Sequence, residues 1–367
     1  MSDDRCPGVL RPHQAADGAM VRVRVPGGQT TGAALARLGA VAERFGSGVL
    51  QLTSRASLQV RGLPEVPPVA FEDAVVEAGF LPSVTHERVR NLLCSPLTGL
   101  AGGHADLRLL VRALDEAVTA EPALASLSGR FLFGLDDGRG DVAALRPDLT
   151  YLARDAERGL LLVRNDRGRE IPAHDAVAEL VGLALDFASS AGPAGAWRVS
   201  DLTGWATGLT RLAPVSVPSP EPIPLGAVGA HASVAVPLGF LAPDQRHAVS
   251  EAAGDGAVVI TPWRGLVLAD GAKSLPTLTA TGLVVDAGSP WTTISACVGA
   301  PWCTKGLIDT QSLVRSVAGM PAIWPRTHVS GCERRCGAPV NEHHRDLVAP
   351  TRDQLLDVAT HALVTHG

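Results

Sequence analysis

The sequence predicts an α+β fold in which two β-α-β-β half-domains pair about a pseudo-twofold axis, each followed by a larger α/β domain. Two observations predict this arrangement: an internal repeat, and a weaker likeness between the segments that follow each copy. The length of 367 residues agrees with it, because one hydrophobic core rarely organises a chain of that size.

The repeat opens with "VRVRVPGG" at 21–28 and "ASVAVPLG" at 232–239, each a strand that enters a turn. A helical stretch follows in both copies, "AALARLGAVAERFG" and then "DQRHAVSEAAGDG". Each copy ends in a strand pair, "GVLQLTSRASLQVRG" and "AVVITPWRGLVLAD". Aligning Pro26 with Pro237 and Thr53 with Thr261 keeps the apolar positions in register, so the two segments are predicted to fold alike.

The likeness continues after each copy, where "NLLCSPLTGL" resembles "SACVGAPWCTKGL" and "LSGRFLFG" resembles "VSGCERRCG". This alignment matches Cys94 with Cys297 and predicts Cys94 to be a small apolar filler. Helices are predicted over 104–119, 174–189 and 351–364. The predicted boundaries are a half-domain at 1–85, an α/β domain at 86–212, a Pro-rich linker at 213–226, a half-domain at 227–285 and a cysteine-bearing domain at 286–367.

Composition excludes several classes of partner. The net charge of −5 gives no reason to expect nucleic acid or an anionic membrane as a partner. No uninterrupted apolar stretch is long enough to predict a membrane span. The opening "MSDDRCPGVL" lacks the layout of a secretory signal, so a cytoplasmic location is expected, where thiols stay reduced.

One face of the first half-domain carries cationic and amide side chains. Residues two apart in a strand share a face, so Arg22 lies with Arg24, and Gln59 with Arg61. The matching positions of the second copy hold Ser233, Ala235, Val267 and Ala269. A solvated sheet face would be polar in both copies. The asymmetry therefore favours an anion-binding wall on the first half-domain.

Four of the six cysteines lie near the C-terminus, at Cys297, Cys303, Cys332 and Cys336. In helical geometry Cys332 and Cys336 would share a face. Five residues separate Cys297 from Cys303, whereas structural zinc sites usually place two to four between paired ligands. The spacing favours an iron–sulfur cluster over zinc, and over four unrelated buried thiols.

This cysteine spacing behind a duplicated half-domain resembles the sulfite and nitrite reductase superfamily. The resemblance implies ferredoxin-like half-domains, a 4Fe–4S cluster on the four cysteines, and a tetrapyrrole such as siroheme at the pseudo-twofold axis. "LTSRASLQVRG" resembles the family's Thr-x-Arg-x-x-x-Gln strand and "VRNLLC" its Arg-Asn motif, which implies active-site roles for Arg55 and Arg90. "LSGRFLF" resembles a segment with two basic residues, matching Arg130 and Leu132. Leucine cannot deliver the protons that sulfite reduction needs.

The opening "CPGVLRPHQAADGAMVRVRVPGG" and the segment "SGCERRCGAP" are similar to the precorrin-3B synthase branch of this superfamily. There the tetrapyrrole is the substrate, precorrin-3A. The resemblance implies oxygen-dependent hydroxylation at C20 with γ-lactone formation, O2 as oxidant, and NADH as donor, directly or through a reductase or ferredoxin. It also implies a mononuclear non-haem iron, although no facial triad can be read from the sequence. The alternatives are a siroheme-dependent sulfite or nitrite reductase and a non-catalytic electron carrier.

A precorrin carries many carboxylates, which arginine pairs with bidentately. The catalytic candidates are Arg55, Arg90 and Arg130. The substrate-binding candidates are Arg22, Arg24, Arg55, Gln59, Arg61, Arg90 and Asn91.

Overall fold

The computed structural model describes residues 4, 6–164, 166–202, 212–220, 222–320, 324–339 and 344–364. Within these ranges no helix has both the length and the apolar character that crossing a bilayer requires. The described elements fall into two half-domains and two larger domains, as the sequence predicts.

The first half-domain is a sheet with helices on one face. Its elements are β1 (His13–Ala15), β2 (Gly18–Val23), β3 (Gln29–Thr31), α1 (Gly32–Phe45), β4 (Leu50–Leu52), β5 (Leu58–Leu63) and α2 (Val69–Glu77). Thr31 caps α1, because its side-chain oxygen accepts a hydrogen bond from the Ala34 amide at 3.1 Å. Leu35 and Leu38 of α1 are fully buried in the core of the half-domains, which stabilises the fold by about 2 kcal/mol each.

The first α/β domain follows, with a six-stranded sheet ordered β11-β10-β9-β8-β7-β6. Its elements are β6 (Leu92–Cys94), α3 (Arg108–Ala120), β7 (Phe133–Asp136), β8 (Leu149–Ala153), β9 (Arg158–Val163), β10 (Arg167–Pro172), α4 (Ala176–Ala194) and β11 (Ala213–Pro214). Strands β6, β7 and β8 are parallel. The rings of Phe131, Phe133 and Phe187 pack together in the core, with centroids 5.0 and 5.2 Å apart.

The second half-domain and the cysteine domain repeat this plan. Their elements are β12 (Gly226–Val228), β13 (His231–Ala235), β14 (Phe240–Leu241), α5 (Pro243–Ala253), β15 (Ala257–Ile260), β16 (Gly265–Leu268), α6 (Leu275–Ala280), β17 (Ile294–Ala296), α7 (Thr310–Ala318), β18 (Thr327–Ser330), β19 (Arg345–Val348) and α8 (Arg352–Val364). Strands β17, β18 and β19 are parallel, like β6, β7 and β8. Helices α3, α4 and α8 confirm the three helices predicted from the sequence.

Equivalent turns confirm the repeat at the level of single atoms. The Thr53 amide donates to Ser57 O at 3.0 Å, and the Thr261 amide donates to Gly265 O at 2.9 Å. Each turn contains a residue in the left-handed region, Ala56 with φ of 50° and Arg264 with φ of 59°. The alignment of Thr53 with Thr261 is therefore correct.

The half-domains exchange their edge strands. β3 of the first pairs with β15 of the second, and β14 of the second pairs with β4 of the first. At Gly28, φ is +70° and an added Cβ atom would lie 2.1 Å from the carbonyl oxygen of Ile260. Only glycine allows this approach, because backbone atoms of both strands are in contact. The exchange joins the half-domains about the pseudo-twofold axis.

The Pro-rich segment predicted as a linker is held against both halves in its described parts, 213–220 and 222–226. β11 extends the sheet of the first α/β domain, and Val215 and Val217 pack against that domain. Ile223 packs with Leu97 and Val259, between that domain and the second half-domain. The segment connects the two halves of the chain without standing apart from them.

Candidate functional site

A row of polar side chains crosses the first half-domain on the face away from its helices. Arg22 of β2 lies opposite Gln59 of β5, and Gln59 lies opposite Gln51 of β4. The matching row of the second half-domain, Ser233, Val267 and Val259, carries apolar side chains on two of its three strands.

The second face is covered, which accounts for its composition. Val259 and Val267 are buried beneath Leu97, Leu100 and Ile223. Hydrocarbon therefore fills this face, while the equivalent face of the first half-domain keeps its cations. The first half-domain therefore has a cationic face and the second an apolar one because only the second face is covered by hydrophobic side chains.

Three guanidinium groups, those of Arg22, Arg24 and Arg55, lie close enough to repel one another. Burial and the Arg22 charge lower the pKa of Arg24 to about 9 and that of Arg55 to about 10. Burial also lowers the pKa of Arg22. Both pKa values lie above neutrality, so Arg24 and Arg55 remain charged at pH 7.

Neutral oxygens of the backbone and of the Asn91 amide accept hydrogen bonds from this arginine cluster. Arg24 donates to Asn91 Oδ1 at 3.1 Å and to the Pro7 carbonyl, and Arg55 donates to Gly129 O at 2.9 Å. Among the described residues, no carboxylate forms an ion pair with these three arginines. Arg22 Nε and Arg24 Nη2 are buried and have no hydrogen-bond partner in the same part of the chain. Buried unpaired donors are costly, so the cluster is suited to an anionic ligand.

The N-terminal segment lies over the cluster. Glu87 Oε2 accepts from the Val9 amide at 2.6 Å, and Asp4 Oδ2 accepts from the Gly129 amide at 2.7 Å. An added Cβ atom on Gly129 would lie 2.8 Å from Cys6 Cβ, which places the Cys6 side chain beside the loop that Arg55 contacts. These anchors hold the opening segment against the arginines.

The remaining arginine candidates lie outside the cluster, and Arg61 and Arg90 are each paired with a carboxylate. Arg61 forms a bidentate ion pair with Asp17, at 2.9 and 3.0 Å, and also donates to Trp302 O at 3.3 Å. Arg90 is paired with Asp115 at 2.6 and 2.7 Å, so its guanidinium does not join the cluster although Asn91 does. Arg130 is exposed and stacks on Trp197, with 4.0 Å from Cζ to the ring centroid.

The four cysteines lie on two loops that follow adjacent parallel strands. Cys297 and Cys303 follow β17, and Cys332 and Cys336 follow β18. Burial raises the pKa of Cys336, and the thiols of Cys297, Cys332 and Cys303 lie near enough to raise it further. The Gly331 amide donates to Cys297 Sγ at 3.0 Å. Thr310 and Gln311 of α7 fix the Cys297 carbonyl, at 2.7 and 2.9 Å.

The helical geometry considered for Cys332 and Cys336 is wrong. Residues 331–337 form turns, with Arg335 at φ of 49° and its amide bonded to Cys332 O at 3.1 Å. In this turn conformation the thiols of Cys297 and Cys332 still act electrostatically on Cys336.

Comparison with known proteins identifies the fold. Residues 11–70 match the family profile described as the nitrite/sulfite reductase ferredoxin-like half domain. The solved structure of the Mycobacterium tuberculosis NirA protein aligns with a TM-score of 0.64 and 18% identity, over 87% of this chain and 69% of that one. This chain has the sulfite and nitrite reductase-like fold. A curated relative from Sinorhizobium sp., named precorrin-3B synthase, is 25% identical over 91% of this chain and 78% of its own length. These relatives indicate an oxidoreductase-type enzyme.

Within the sulfite and nitrite reductase-like fold, the register of the two parallel sheets corrects one alignment. The Cys297 amide donates to Val329 O, and the equivalent bond in the first α/β domain runs from the Ser95 amide to Leu135 O, both at 3.0 Å. Ser95, not Cys94, therefore matches Cys297. Ser95 Oγ accepts from the Asp137 amide as Cys297 Sγ accepts from Gly331. Cys94 is buried, as predicted, and burial raises its pKa.

Carboxylates lie at the end of β7 and in the loop that follows it, which corresponds to the cysteine loop after β18. Oxygens of Asp136, Asp137 and Asp141 lie within 4.8 Å of one another. Asp136 accepts four backbone N–H bonds and Asp137 pairs with Arg139. Burial and the charge of Asp136 raise the pKa of Asp141 to about 7. Asp141 is therefore protonated over much of the acid range in the folded state.

This shift predicts a pH dependence of stability. The folded chain binds the Asp141 proton more tightly than the unfolded chain does, because the pKa of Asp141 is higher in the folded state. The stabilisation that this proton provides is fully present near pH 4 and is lost as the pH rises through 7. Asp141→Asn should flatten the fall in the free energy of unfolding between pH 4 and pH 7, measured by urea denaturation. Asp186→Asn, at an exposed position on α4, is the control. An unchanged slope in Asp141→Asn would contradict the assignment.

Sequence reasoning missed three residues of this region: Gln51, His328 and Arg264. Gln51 completes the polar row and accepts from Arg61 Nη1 at 3.5 Å. The fully buried His328 donates from Nε2 to Cys336 O at 3.3 Å, so its Nδ1 accepts from Ser295 Oγ at 2.8 Å. Burial and Arg264 lower the pKa of His328 to about 4, which keeps the ring neutral. Alternation along β4 could have revealed Gln51. The sequence shows that His328 lies near the cysteines, but its proximity alone gave no reason to assign it a role.

Proposed function

We propose that this chain is a precorrin-3B synthase, which hydroxylates C20 of precorrin-3A with O2 and closes a γ-lactone, with NADH as the overall electron donor. The observation that carries the proposal is the arginine cluster of Arg22, Arg24 and Arg55. It is a concentration of buried positive charge with unpaired donors. Glu87 and Asp148 act on it electrostatically, but among the described residues no carboxylate lies within ion-pair distance. The similarity to a curated protein of that name, along 91% of this chain, supports the same reading.

The cysteine residues fit a 4Fe–4S cluster. Tetrahedral zinc would hold its thiolate sulfurs roughly 3.8 Å apart, given Zn–S bonds of about 2.3 Å. Among the described residues, no three of the thiols lie within 4.8 Å of one another, which is wider than a zinc site on these ligands would be. Cys297, Cys303, Cys332 and Cys336 would hold it, and the cluster would supply electrons one at a time. The amide of Gly331 donates to a ligand sulfur, an interaction that stabilises a reduced cluster.

The residues of this chain bind and orient the macrocycle in this proposal. Arg22, Arg24 and Arg55 pair with its carboxylates, and Asn91 holds Arg24 in place by accepting from its Nε. The N-terminal segment covers the cluster and excludes water, which strengthens those ion pairs. Arg61 joins β5 to the loop between Cys297 and Cys303 through Trp302 O, so substrate and cysteine loops are held in one arrangement.

A siroheme-dependent sulfite or nitrite reductase is the second candidate, favoured by the structural likeness to NirA. The buried side chain at Leu132 speaks against it, because a hydrocarbon there can neither donate a proton nor neutralise a bound oxyanion. The mononuclear iron expected by resemblance belongs to the first candidate, and its ligands are left unassigned.

Anaerobic purification separates the two candidates. Iron should exceed acid-labile sulfide by the one mononuclear ion, with a broad cluster absorption and no Soret band. The protein should then convert precorrin-3A to a hydroxylated lactone when supplied with O2 and an NADH-driven donor system, as followed by mass spectrometry. A Soret band with sulfite or nitrite turnover would establish the second candidate instead. Zinc without sulfide would reject both.

A further inference from the structure

Arg264 is a cation that neither the polar row nor the cysteine motif includes. It lies in the turn of the second half-domain that matches the turn bearing Arg55, one position further along the chain. Its side chain passes through a junction of three parts of the chain. An added Cβ atom on Gly239 would lie 2.9 Å from Arg264 Cδ and 3.0 Å from Leu52 O, and one on Gly337 would lie 3.0 Å from Arg264 Nη2.

The guanidinium of Arg264 therefore lies between the first half-domain at Leu52 and the cysteine loop at Gly337. Gly337 directly follows Cys336. No hydrogen bond or ion pair to the Arg264 side chain exists within the described part of the chain. Arg264 is half-buried at this junction. Its guanidinium is therefore available to pair with an anion that the described chain does not supply.

We propose that Arg264 forms a second carboxylate-binding site, which takes a carboxylate on a different edge of the same macrocycle that the arginine cluster binds. This inference rests on the proposed function. A tetrapyrrole of this class carries carboxylates around its whole rim, so cations on one side of the pseudo-twofold axis would leave part of that rim unpaired. Arg55 and Arg264, on equivalent turns, place one guanidinium on each side.

The cysteine sulfurs are the other anions near this position. Among the described residues, no thiol sulfur accepts a hydrogen bond from Arg264. A carboxylate from a bound ligand remains as the chemistry that suits the site.

The test uses the whole chain, reconstituted anaerobically, and uroporphyrin III, a fluorescent tetrapyrrole with eight carboxylates. Arg264→Gln should weaken binding about tenfold in a fluorescence titration, since it removes a charged hydrogen-bonding pair. Arg264→Lys should recover part of the affinity, because it restores the charge without the planar fork. Arg158→Gln is the control, since Arg158 is exposed and paired with Glu170 on the far hairpin. Thermal melting establishes that each variant is folded.

Each outcome decides between the assignments. Weaker binding with unchanged iron content and cluster midpoint potential supports the carboxylate site. If Arg264→Gln binds uroporphyrin III as tightly as the parent does, the carboxylate site is overturned. If the midpoint potential of the cluster is shifted in that case, Arg264 belongs to the cysteine site instead. Arg55→Ala, titrated in parallel, separates the two proposals. If Arg55→Ala weakens binding and Arg264→Gln does not, this inference fails alone. If the unmodified protein binds no uroporphyrin III, the proposed function fails with it.

Discussion

Replacing Cys336 by serine is expected to abolish cluster assembly, with loss of bound iron and sulfide and of enzyme activity together. A serine hydroxyl stays protonated at neutral pH and is a poor ligand for iron, whereas the thiolate is a strong one. Cys336 is exposed, so the substitution leaves no cavity and the fold is retained. The measurements are iron and sulfide analysis and the optical spectrum after anaerobic reconstitution. Cys332→Ser should behave in the same way.

Cys94→Ala is the matched control for the loss of a thiol. Cys94 is buried in the first α/β domain, and the strand register matches Ser95, not Cys94, with Cys297. The Cys94→Ala variant should have a modestly lower free energy of unfolding and keep its full iron and sulfide content. Full retention of iron in Cys336→Ser would remove that residue from the ligand set and, with it, the cluster assignment.

Arg55→Ala is expected to weaken tetrapyrrole binding by about 10- to 100-fold while cluster content stays unchanged, because a buried charged hydrogen bond to the ligand is lost. The variant should not be less stable than the parent. Arg55 and Arg22 repel each other in the unliganded chain, and that repulsion offsets the lost bond to Gly129 O. Fluorescence titration and thermal melting measure the two effects.

Arg44→Ala is the control, because Arg44 is exposed on α1, on the opposite side of the same sheet, where it lies over Phe45. Its affinity for the tetrapyrrole should equal that of the parent. Equal affinity in Arg55→Ala would exclude Arg55 from the site. A loss of iron in that variant would instead make its role structural.

The half-domains were predictable because their signals are local. Apolar alternation and the threonine turns at Thr53 and Thr261 repeat within short windows, and each turn closes through its own backbone. The exchange of β3 and β14 was not predictable. Each has only two or three residues and no apolar pattern, and its pairing partner lies about 200 positions away in the chain.

The same contrast holds for the candidate site. Four cysteines in a chain with few thiols were visible without a structure, and the asymmetry of the repeat revealed Arg22 and Arg24. The roles of Arg61 and Arg90 depend on Asp17 and Asp115, whose positions follow from tertiary packing. Arg264 was not predicted because it lies in a turn with positive φ. The alternation of side chains between the two faces of a strand, on which the comparison of the half-domains depends, does not extend to such a residue.

The exchanged edge strands have a consequence for how the chain can be divided. A protein cut within 215–220 would yield two fragments, each carrying a strand that belongs to the other fragment's sheet and each exposing an unpaired edge. Neither fragment should be soluble by itself, yet the two, produced together, should reassemble into one particle. The duplicated halves are therefore expected to unfold as a single cooperative unit, because each half completes the framework of the other.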